Sequence, residues 1–494
     1  MPDGYSDACT RYNRSLDQFV GMDFEDAYAT VQSVQSRRKA ADQENDTLLC
    51  NQWIYDTGKN MRTTVVTEWD LICEKKFFVE HSQMVYMAGF MVGSLTAGVV
   101  SDKLGRKCAF IVFALCYGVF GVLKSFAPTY EAFLILRFLM SAGGMASCLA
   151  GYTFPMEVVS ARYRSWVGGC QFLPYALGYT SLAWVAYGTR NWRYMHVVAT
   201  APTLVALFLF WLLPESPRWL LLNGEIEKAE KTLRTAATWN KGKLPPGTDL
   251  GVIAAHLSEE KRKQREESIY FYHIFKYRVL ACRAINLFFA WCVCSFVYYG
   301  VALNMSSFTG NVFLNNAIAG AVEIPGYLIC IPLLCWGRRR SLVLALLLTG
   351  ASLIVIPWIK AEWLKTCLAL FGKLCVTASF NLCYAITTEV YPTVVRTSGL
   401  ALSSCMGRIG SIAAPYIAAL GKLGRGMAWL PMVIFGGFAL SAAVFSLLLP
   451  ETKGKRLPES LDDAIKLQPS KRVLAIILLI VARCDVILQE VVAI

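Results

Sequence analysis

The stretch Gly98-Val-Val-Ser-Asp102-Lys-Leu-Gly105-Arg106-Lys107 joins the end of an apolar run of membrane length to a compact basic turn. The turn recurs as Gly337-Arg338-Arg339, again directly after a long apolar run. In both places a glycine precedes an arginine, and glycine permits a tight turn between two helices. A feature that recurs after so many residues indicates a duplicated unit. We therefore expect two related halves.

Two further pairs of segments recur in the same order as the turns. Glu157-Val-Val-Ser-Ala-Arg-Tyr-Arg164 is matched by Glu389-Val-Tyr-Pro-Thr-Val-Val-Arg396, with an acid seven positions before an arginine in each. Pro214-Glu-Ser216 is matched by Pro450-Glu-Thr452, and both follow an apolar run. Three pairs in the same order support an internal duplication.

The composition is that of a membrane protein, because 55% of the 494 residues are hydrophobic and only 17% are charged. A membrane-spanning helix needs roughly 20 mainly apolar residues. Eleven apolar runs of about that length occur, at 83–101, 108–126, 131–151, 166–187, 193–213, 283–301, 312–335, 341–358, 364–386, 398–420 and 429–449. The sequence therefore predicts an all-α polytopic fold with five spans in the first half and six in the second.

The formal net charge of +13 does not indicate a nucleic acid partner, because the basic residues are concentrated in particular short loops. Lys103, Arg106 and Lys107 share one loop, whereas the loops at 127–130 and 302–311 carry no lysine or arginine. An excess of lysine and arginine in short loops marks the cytoplasmic side of a membrane protein. The basic loops are therefore predicted to be cytoplasmic.

The polar segment before the first apolar run is predicted to be extracellular. It contains two glycosylation sequons, Asn13-Arg-Ser15 and Asn45-Asp-Thr47, so the protein is predicted to be a glycoprotein. Cys9, Cys50 and Cys73 lie in the same segment. Extracellular cysteines can form disulfides, but three cysteines leave one over, and the pairing is left open.

Composition divides the chain into five segments. The basic segment between the halves includes Gly224-Glu-Ile-Glu-Lys-Ala-Glu-Lys-Thr-Leu-Arg234, where acids precede bases as expected of a helix. Near the end of the chain the apolar residues 472–482 are too few for a span. We predict an extracellular segment at 1–82, an N-terminal membrane half at 83–213, a cytoplasmic linker at 214–282, a C-terminal membrane half at 283–449 and a cytoplasmic tail at 450–494.

These motifs resemble the major facilitator superfamily and, within it, the organic cation, anion and zwitterion transporters of solute carrier family 22. The resemblance is carried, in order, by Thr67-Glu-Trp-Asp-Leu-Ile-Cys73, Asp102 to Lys107, Pro214 to Arg218, Tyr298-Tyr-Gly300, Glu389 to Arg396 and Pro450 to Gly454. The first motif and the tyrosine pair separate the chain from sugar porters, which share the Pro-Glu-Ser and Pro-Glu-Thr motifs. The resemblance implies twelve spans, so we expect this sequence to lack the first span, a helix that lines the central cavity in this fold.

The resemblance also implies that charges at the cytoplasmic ends of the spans act as a gate. Glu157 and Glu389 are expected to lie within reach of Arg164 and Arg396, and in the family such pairs hold the cytoplasmic side shut in the outward-facing state. The predicted gating residues are Asp102, Arg106, Glu157, Arg164, Arg338, Glu389 and Arg396. The alternative is that these charges only fix topology and loop structure.

Four charged residues lie inside predicted spans: Arg137, Glu323, Lys373 and Arg408. On insertion scales an Arg, Lys or Asp at mid-membrane costs roughly 2.5–3.5 kcal/mol, so each is expected to face a cavity or a partner. Arg137 is nearer the outer end of its span and is interpreted as structural. The other three are candidates for substrate binding, with a buried ion pair as the alternative; Glu323 can balance either Lys373 or Arg408.

The resemblance indicates which groups meet the substrate. Glu323 resembles the acidic cavity residue of the family, and Arg408 stands where strict cation carriers have aspartate and anion or carnitine-type carriers have arginine. A guanidinium suits a carboxylate. Trp291 and Tyr298 match cavity aromatics of the family and, seven positions apart, share a helix face. With Lys373, these five are the predicted substrate-binding residues.

The sequence thus predicts a multi-pass transporter, expected in the plasma membrane, that moves small organic ions by alternating access. The expected substrates are organic cations or zwitterions such as carnitine-like compounds, with organic anions as a further class. No nucleotide loop and no cluster of the four histidines points to an enzyme, a metal site or a cofactor. Two alternatives are a sugar or neutral-solute porter, which the intramembrane charges disfavour, and a non-transporting scaffold or receptor. The oligomeric state is left open.

Overall fold

The computed structural model describes 10–12, 47–49, 61–159, 167, 173–212, 214–242, 249–266, 271–305, 311–392, 395–421, 427, 429–454, 458 and 461–466. The chain forms two compact units, Met1–Val79 and Glu80–Ile494. The first unit contains two short strands, β1 (Thr10–Tyr12) and β2 (Thr47–Leu49), which pair antiparallel. The charged residues proposed to bind substrate or form a gate all belong to the second unit.

The first unit also contains a short helix and a disulfide. Helix α1 (Val65–Glu68) begins at a capping box in which the side chains of Thr64 and Thr67 each accept from the other's backbone N–H. Cys73, at the start of the 3-10 turn Cys73–Lys75, is disulfide-bonded. Cys9, Cys50 and the asparagines of both predicted sequons lie outside the described residues.

Helices make up most of the remaining described residues, in the predicted membrane halves as well as in the linker and the tail. In order they are α2 (Phe77–Leu104), α3 (Arg106–Lys124), α4 (Tyr130–Val158), α5 (Leu173–Thr189), α6 (Trp192–Leu212), α7 (Pro217–Leu222), α8 (Ile226–Trp239), α9 (Leu250–Glu266), α10 (Arg278–Asn304), α11 (Val312–Ala321), α12 (Glu323–Trp336), α13 (Arg338–Val355), α14 (Glu362–Val390), α15 (Arg396–Leu420), α16 (Leu430–Ser446) and α17 (Leu461–Lys466). Two 3-10 turns, Phe271–Lys276 and Ile356–Trp358, precede α10 and follow α13.

Each of the eleven apolar runs of the sequence coincides with a helix or a helix pair of this structure. Within the described residues, seven helical segments are long and apolar enough to cross a membrane: Cys73–Leu104, Arg106–Lys124, Tyr130–Val158, Arg278–Asn304, Val312–Trp336, Arg338–Trp358 and Glu362–Val390. Helices α5, α6, α15 and α16 lie in the other four runs, of which 166–187 is described only at 167 and from 173 onward. The predicted polytopic all-α membrane fold is confirmed.

One predicted span is a pair of helices, because α11 ends at Ala321 and α12 begins at Glu323. Pro325 has no backbone N–H, and its ring clashes with the carbonyl four residues earlier in a continuous helix. The break places the Glu323 carboxylate in the first turn of α12. Unpaired N–H groups and the positive end of the helix dipole favour a carboxylate there.

Small residues allow the helices to pack closely. Gly410 of α15 lies against the backbone carbonyl of Cys292 on α10, and Gly300 of α10 lies against the ring of Phe435 on α16. A Cβ atom at either glycine would overlap these neighbours. Lipid tails are as apolar as the helices themselves, so close packing of small residues is a main source of helix association in a membrane.

The two halves meet through α5 and α11. Gly320 of α11 lies over Thr180 of α5, and the rings of Tyr187 and Phe313 are 5.6 Å apart and nearly perpendicular. Tyr187 is near the end of α5 and Phe313 near the start of α11. Both ends lie on the side opposite the basic loops, so these contacts join the halves toward the predicted extracellular side.

Candidate substrate site and cytoplasmic charge networks

Glu323 and Lys373 form a buried ion pair between α12 and α14. The Lys373 Nζ lies 3.1 Å from the Glu323 Oε1, and both side chains are 0% exposed. The Tyr298 hydroxyl donates to the same oxygen at 2.6 Å, and the Tyr327 hydroxyl donates to the Glu323 Oε2 at 3.2 Å. Removing two charges from water costs several kcal/mol per ion, which close pairing and added hydrogen bonds offset. Of the two cations considered for Glu323, the structure selects Lys373.

Two tyrosines of the N-terminal half reach this ion pair. The Lys373 Nζ is 4.2 Å from the centroid of the Tyr179 ring, and the hydroxyls of Tyr175 and Tyr298 are 3.4 Å apart. Tyr175 and Tyr179 are four positions apart on α5, so they occupy the same helix face. Sequence reasoning missed both residues, although tyrosines at this spacing in an apolar run were an available signal. They bring both halves to the ion pair.

Trp291 lies in an aromatic cluster next to this site. It is buried, and its Nε1 donates to the Thr387 Oγ1 at 2.9 Å. Its ring centroid is 4.4 Å from that of Tyr384 and 5.4 Å from that of Phe380, both on α14. Phe380 in turn lies 6.2 Å from Tyr298. Trp291 and Tyr298 therefore occupy the same face, but only Tyr298 contacts the ion pair in this conformer.

Arg408 on α15 contacts the opposite half of the protein. Its Nη2 is 3.5 Å from the Met145 Sδ on α4, and its Cζ is 5.4 Å from the centroid of the Phe90 ring on α2. The residue is 6% exposed, and its Nε has no hydrogen-bond partner. Among the described residues, no carboxylate forms an ion pair with it. Arg408 is thus a buried cation held by a thioether and an aromatic face.

Arg137 joins α4 to α2. Its Nη2 donates to the Gln83 Oε1 at 2.8 Å, and its Cζ lies 5.1 Å from the centroid of the Tyr86 ring. A second buried basic residue of this half was not predicted: Lys124 is 1% exposed, and its Nζ lies 3.4 Å from the His196 Nδ1. A lysine at the end of an apolar run is expected to extend toward water, so the sequence carried no sign of its burial.

Two cysteines lie close together between α10 and α14. The Sγ atoms of Cys294 and Cys383 are 3.6 Å apart, and both residues are buried. A structural zinc site needs four ligands, and the described part of the chain contains no group of three histidines, cysteines or acids placed to hold a metal ion. The thiol pair joins α10 to α14 through a sulfur contact in which either thiol can be the donor.

A network of charges holds the cytoplasmic end of the N-terminal half. Arg106 forms ion pairs with Glu157 at 2.9 Å and with Asp102 at 2.8 Å. The Glu215 Oε1 accepts from the backbone N–H of Arg106 at 3.0 Å. The Ser216 hydroxyl donates to the Glu157 Oε2 at 2.5 Å. The network ties the start of α3 to the end of α4 and to the linker.

The C-terminal half repeats this network with the corresponding residues of the second motif set. Arg338 forms an ion pair with Glu389 at 2.9 Å, and its backbone N–H donates to the Glu451 Oε1 at 2.9 Å. The Thr452 hydroxyl donates to the Glu389 Oε2 at 2.5 Å. Here the Arg338 Nη1 donates to the Leu334 carbonyl at 2.9 Å, where the first network has a carboxylate.

The arginine that pairs with Glu389 differs from the one predicted from the sequence. Glu389 pairs with Arg338, whereas Arg396 donates to the backbone carbonyls of Tyr391 and Pro458, each at 3.3 Å. Helix α14 ends at Val390, before Pro392, and Arg396 begins the next helix, so the two residues do not share one helix face. The described partner of Glu157 is Arg106; Arg164 lies outside the described residues.

Glu215 and Glu451 are functional candidates that the sequence prediction left out. The repeated Pro-Glu-Ser and Pro-Glu-Thr motifs were used there only as evidence of duplication. In the structure their acids accept from the first backbone N–H groups of α3 and α13, which have no partner within their own helix. The hydroxyls of the same motifs, on Ser216 and Thr452, donate to the two paired glutamates, Glu157 and Glu389. The repeat itself was the signal that could have identified them.

Reversing one charge of the Arg338–Glu389 pair tests whether the pair matters for function. We expect Arg338→Glu and Glu389→Arg each to lower the uptake rate, by roughly tenfold for about 1.4 kcal/mol of lost interaction. The double reversal should restore part of that rate, since opposite charges again face each other. Uptake is normalised to the amount at the cell surface. A double variant that is no better than the worse single variant would contradict a functional pair.

Comparison with known proteins agrees with this architecture. The model of the "Sugar (and other) transporter" family matches residues 47–462. The organic cation transporter protein of Drosophila melanogaster is 36% identical over 427 residues, which cover 85% of this chain and 77% of that protein. The solute carrier family 22 member 15-like protein of Xenopus laevis is 36% identical over 413 residues, covering 82% of each. Organic anion transporter 3 of Sus scrofa is 34% identical over 415 residues, covering 83% and 75%.

Solved structures show the same fold at lower sequence identity. The inward open conformation of the xylose transporter XylE from E. coli superposes with a TM-score of 0.61 and 18% identity, covering 79% of this chain and 89% of that one. At that identity the likeness concerns the fold alone. The family assignment rests on the family model and on the relatives that are more than 30% identical. The chain is a member of the sugar and other transporter family of the major facilitator superfamily, and within it of solute carrier family 22.

Proposed function

We propose that the protein transports small organic ions across a membrane, expected to be the plasma membrane, by alternating access of its two halves. The relatives it matches are named as carriers of organic cations or organic anions. The proposal of two moving halves, 83–213 and 283–449, is supported by the repeated ion pairs, Arg106–Glu157 in the first and Arg338–Glu389 in the second. Carriers of this kind bind substrate near the middle of the membrane, between their repeats.

The observation that carries the proposed substrate class is the environment of Arg408. Its guanidinium is buried, and no described carboxylate pairs with it. A planar guanidinium matches the geometry of a carboxylate, with two parallel hydrogen bonds. We propose that Arg408 binds the carboxylate of the substrate. The favoured substrates are therefore organic anions and zwitterions.

The Glu323–Lys373 pair also favours organic anions and zwitterions over organic cations. A carrier of organic cations needs an acid that the substrate can approach, but the Glu323 carboxylate is already neutralised by Lys373 at 3.1 Å. A zwitterion is the second candidate, because the Tyr179 and Tyr298 rings lie within 4.2 and 5.5 Å of the Lys373 ammonium. Aromatic faces at these distances attract cations. The positive group of a zwitterion would compete with Lys373 for them.

The cytoplasmic networks are proposed to control access from the cytoplasm. The Arg106–Glu157 and Arg338–Glu389 pairs each hold two helix ends of one half together. We propose that their making and breaking accompanies the movement of the halves, and that Asp102 assists Arg106. Arg164 and Arg396 remain predicted gating residues, with Arg396 acting through its backbone partners. The alternative is that the networks only stabilise the structure. The reversal of the Arg338 and Glu389 charges described above distinguishes this alternative from a gating role.

Uptake of a panel of labelled solutes tests the proposal. Cells expressing the chain are given benzoate, carnitine, tetraethylammonium, and benzamide as a neutral control. We expect uptake of benzoate, carnitine or both above the level of an Arg408→Gln variant with equal surface amount. Uptake of tetraethylammonium alone would contradict the proposed carboxylate site, and uptake of benzamide alone would indicate a neutral-solute porter. Surface protein that binds but moves none of the four would favour a receptor or scaffold.

A further inference from the structure

Arg408 connects the halves through unusually weak partners. Its guanidinium belongs to the C-terminal half, while Met145 and Phe90 belong to the N-terminal half. A thioether sulfur is a weak hydrogen-bond acceptor, and an aromatic face attracts a cation less strongly than a carboxylate does. The Nε of Arg408 is buried and has no hydrogen-bond partner. The guanidinium therefore keeps hydrogen-bonding capacity that a stronger acceptor would use.

The position of Met145 makes it the group that a ligand has to replace. It is 8% exposed, and its Sδ is 3.5 Å from the Arg408 Nη2. A carboxylate that binds the guanidinium through two oxygens needs the space next to the terminal nitrogens, which the thioether occupies. Methionine is unbranched and has three rotatable side-chain bonds, so it can move aside at small cost.

We propose that Met145 is a displaceable partner of Arg408, which the carboxylate of the substrate replaces on binding. This inference rests on the proposed function, because it takes Arg408 as the carboxylate site. The exchange removes a contact between the halves at the moment when substrate arrives. Met145 thereby sets the affinity for the substrate and links its binding to the movement of α4 relative to α15.

The Glu323–Lys373 pair is a less direct link. Its ionic contact lies within the C-terminal half, on α12 and α14, and it meets the N-terminal half through the Tyr179 ring, 4.2 Å from the Lys373 Nζ. A substrate carboxylate that binds Lys373 has to displace Glu323 first, whereas Arg408 joins α15 to α2 and α4 with no described carboxylate to displace. The coupling is therefore assigned to the contacts of Arg408.

The test compares Met145→Glu with Met145→Gln in the full chain. Glutamate places a permanent carboxylate beside the guanidinium, whereas glutamine has the same length and no charge. We expect Met145→Glu to raise the KM for benzoate by at least about tenfold and Met145→Gln by less than about threefold, since a buried charge pair is far stronger than a neutral contact. Binding of benzoate is also measured as the rise in Tm of the purified protein, which ligand binding to the folded state produces.

A third variant guards against loss of folding. Met145→Ala removes both the sulfur acceptor and the side chain beside the terminal nitrogens, so the guanidinium is freed and the KM for benzoate should fall by about two- to fivefold, a change that loss of folding cannot produce. If the KM does not fall in Met145→Ala, or if Met145→Glu and Met145→Gln behave alike, the inference is overturned. In either case the proposed function survives as long as Arg408→Gln abolishes benzoate binding. If Arg408→Gln binds benzoate normally, the carboxylate site and the inference built on it both fail.

Discussion

Glu323→Gln is expected to remove most of the correctly folded protein from the membrane. The glutamine oxygen can still accept from Tyr298, and its NH2 group can donate to the Tyr327 hydroxyl oxygen, so the change mainly takes away the charge that faces Lys373. Removing one partner of a buried pair leaves an uncompensated charge, which costs about 3–5 kcal/mol. The measurement is the Tm of the purified protein in detergent together with its amount at the cell surface. Both should fall clearly below those of the parent chain.

The double variant Glu323→Gln with Lys373→Met separates this charge effect from local packing. Neither residue is then charged, so we expect stability to return to within about 1–2 kcal/mol of the parent. Glu362→Gln is the matched control, because Glu362 pairs with Lys365 at 2.6 Å near the predicted outer surface. A pair that water reaches is worth about 1 kcal/mol or less. A double variant as unstable as Glu323→Gln alone would show that the acid stabilises the fold independently of Lys373.

The membrane fold was predictable because its signals are local. Each span is visible in the sequence as an apolar run. The basic turns at Arg106 and Arg338 indicate the cytoplasmic side, and recognising them requires no information about distant contacts. Signals of this kind depend on neighbours along the chain, so they survive without a structure.

The partners within the site were less predictable because they depend on how helices rotate and approach. The sequence placed Glu323, Lys373 and Arg408 in three spans but could not decide which cation the acid would meet. The choice of Lys373 follows from the packing of α12 on α14, and the contact of Arg408 with Met145 follows from the meeting of two halves. Neither contact can be inferred from the number of residues that separate its partners in the sequence.

The predicted gating residues illustrate the same limit. A spacing of seven residues suggested that Glu389 would meet Arg396, but the helix ends between them. The acid instead meets Arg338, 51 positions away, at the start of another helix. The equivalent Arg106–Glu157 pair is also separated by 51 positions. The duplication was therefore sufficient to predict that both halves use one arrangement, though not which residues pair in it.

Arg408→Asp is expected to reverse the charge preference of the carrier. The change replaces a buried cation with an anion, so a substrate carboxylate would lose its partner and meet a like charge. Loss of a buried, hydrogen-bonded charge pair costs about 2–5 kcal/mol, which corresponds to at least a thirtyfold fall in the kcat/KM for benzoate. The same aspartate offers a counter-ion to tetraethylammonium, whose uptake should rise relative to that of benzoate. Both rates are measured in the same cells and divided by the surface amount.

Arg408→Lys is the matched control for this reversal, because it keeps the positive charge but loses the planar fork of donors. We expect it to bind benzoate more weakly than the parent while still excluding tetraethylammonium, so that charge and geometry are measured separately. The current contacts of Arg408 with Met145 and Phe90 involve no carboxylate, so neither variant leaves a described acid of the protein unpaired. Effects on transport therefore report on the substrate and not on a broken internal ion pair. Unchanged preference in Arg408→Asp, with normal surface amount, would remove Arg408 from the site and make Lys373, the other basic residue of the predicted substrate-binding set, the next candidate to meet a carboxylate.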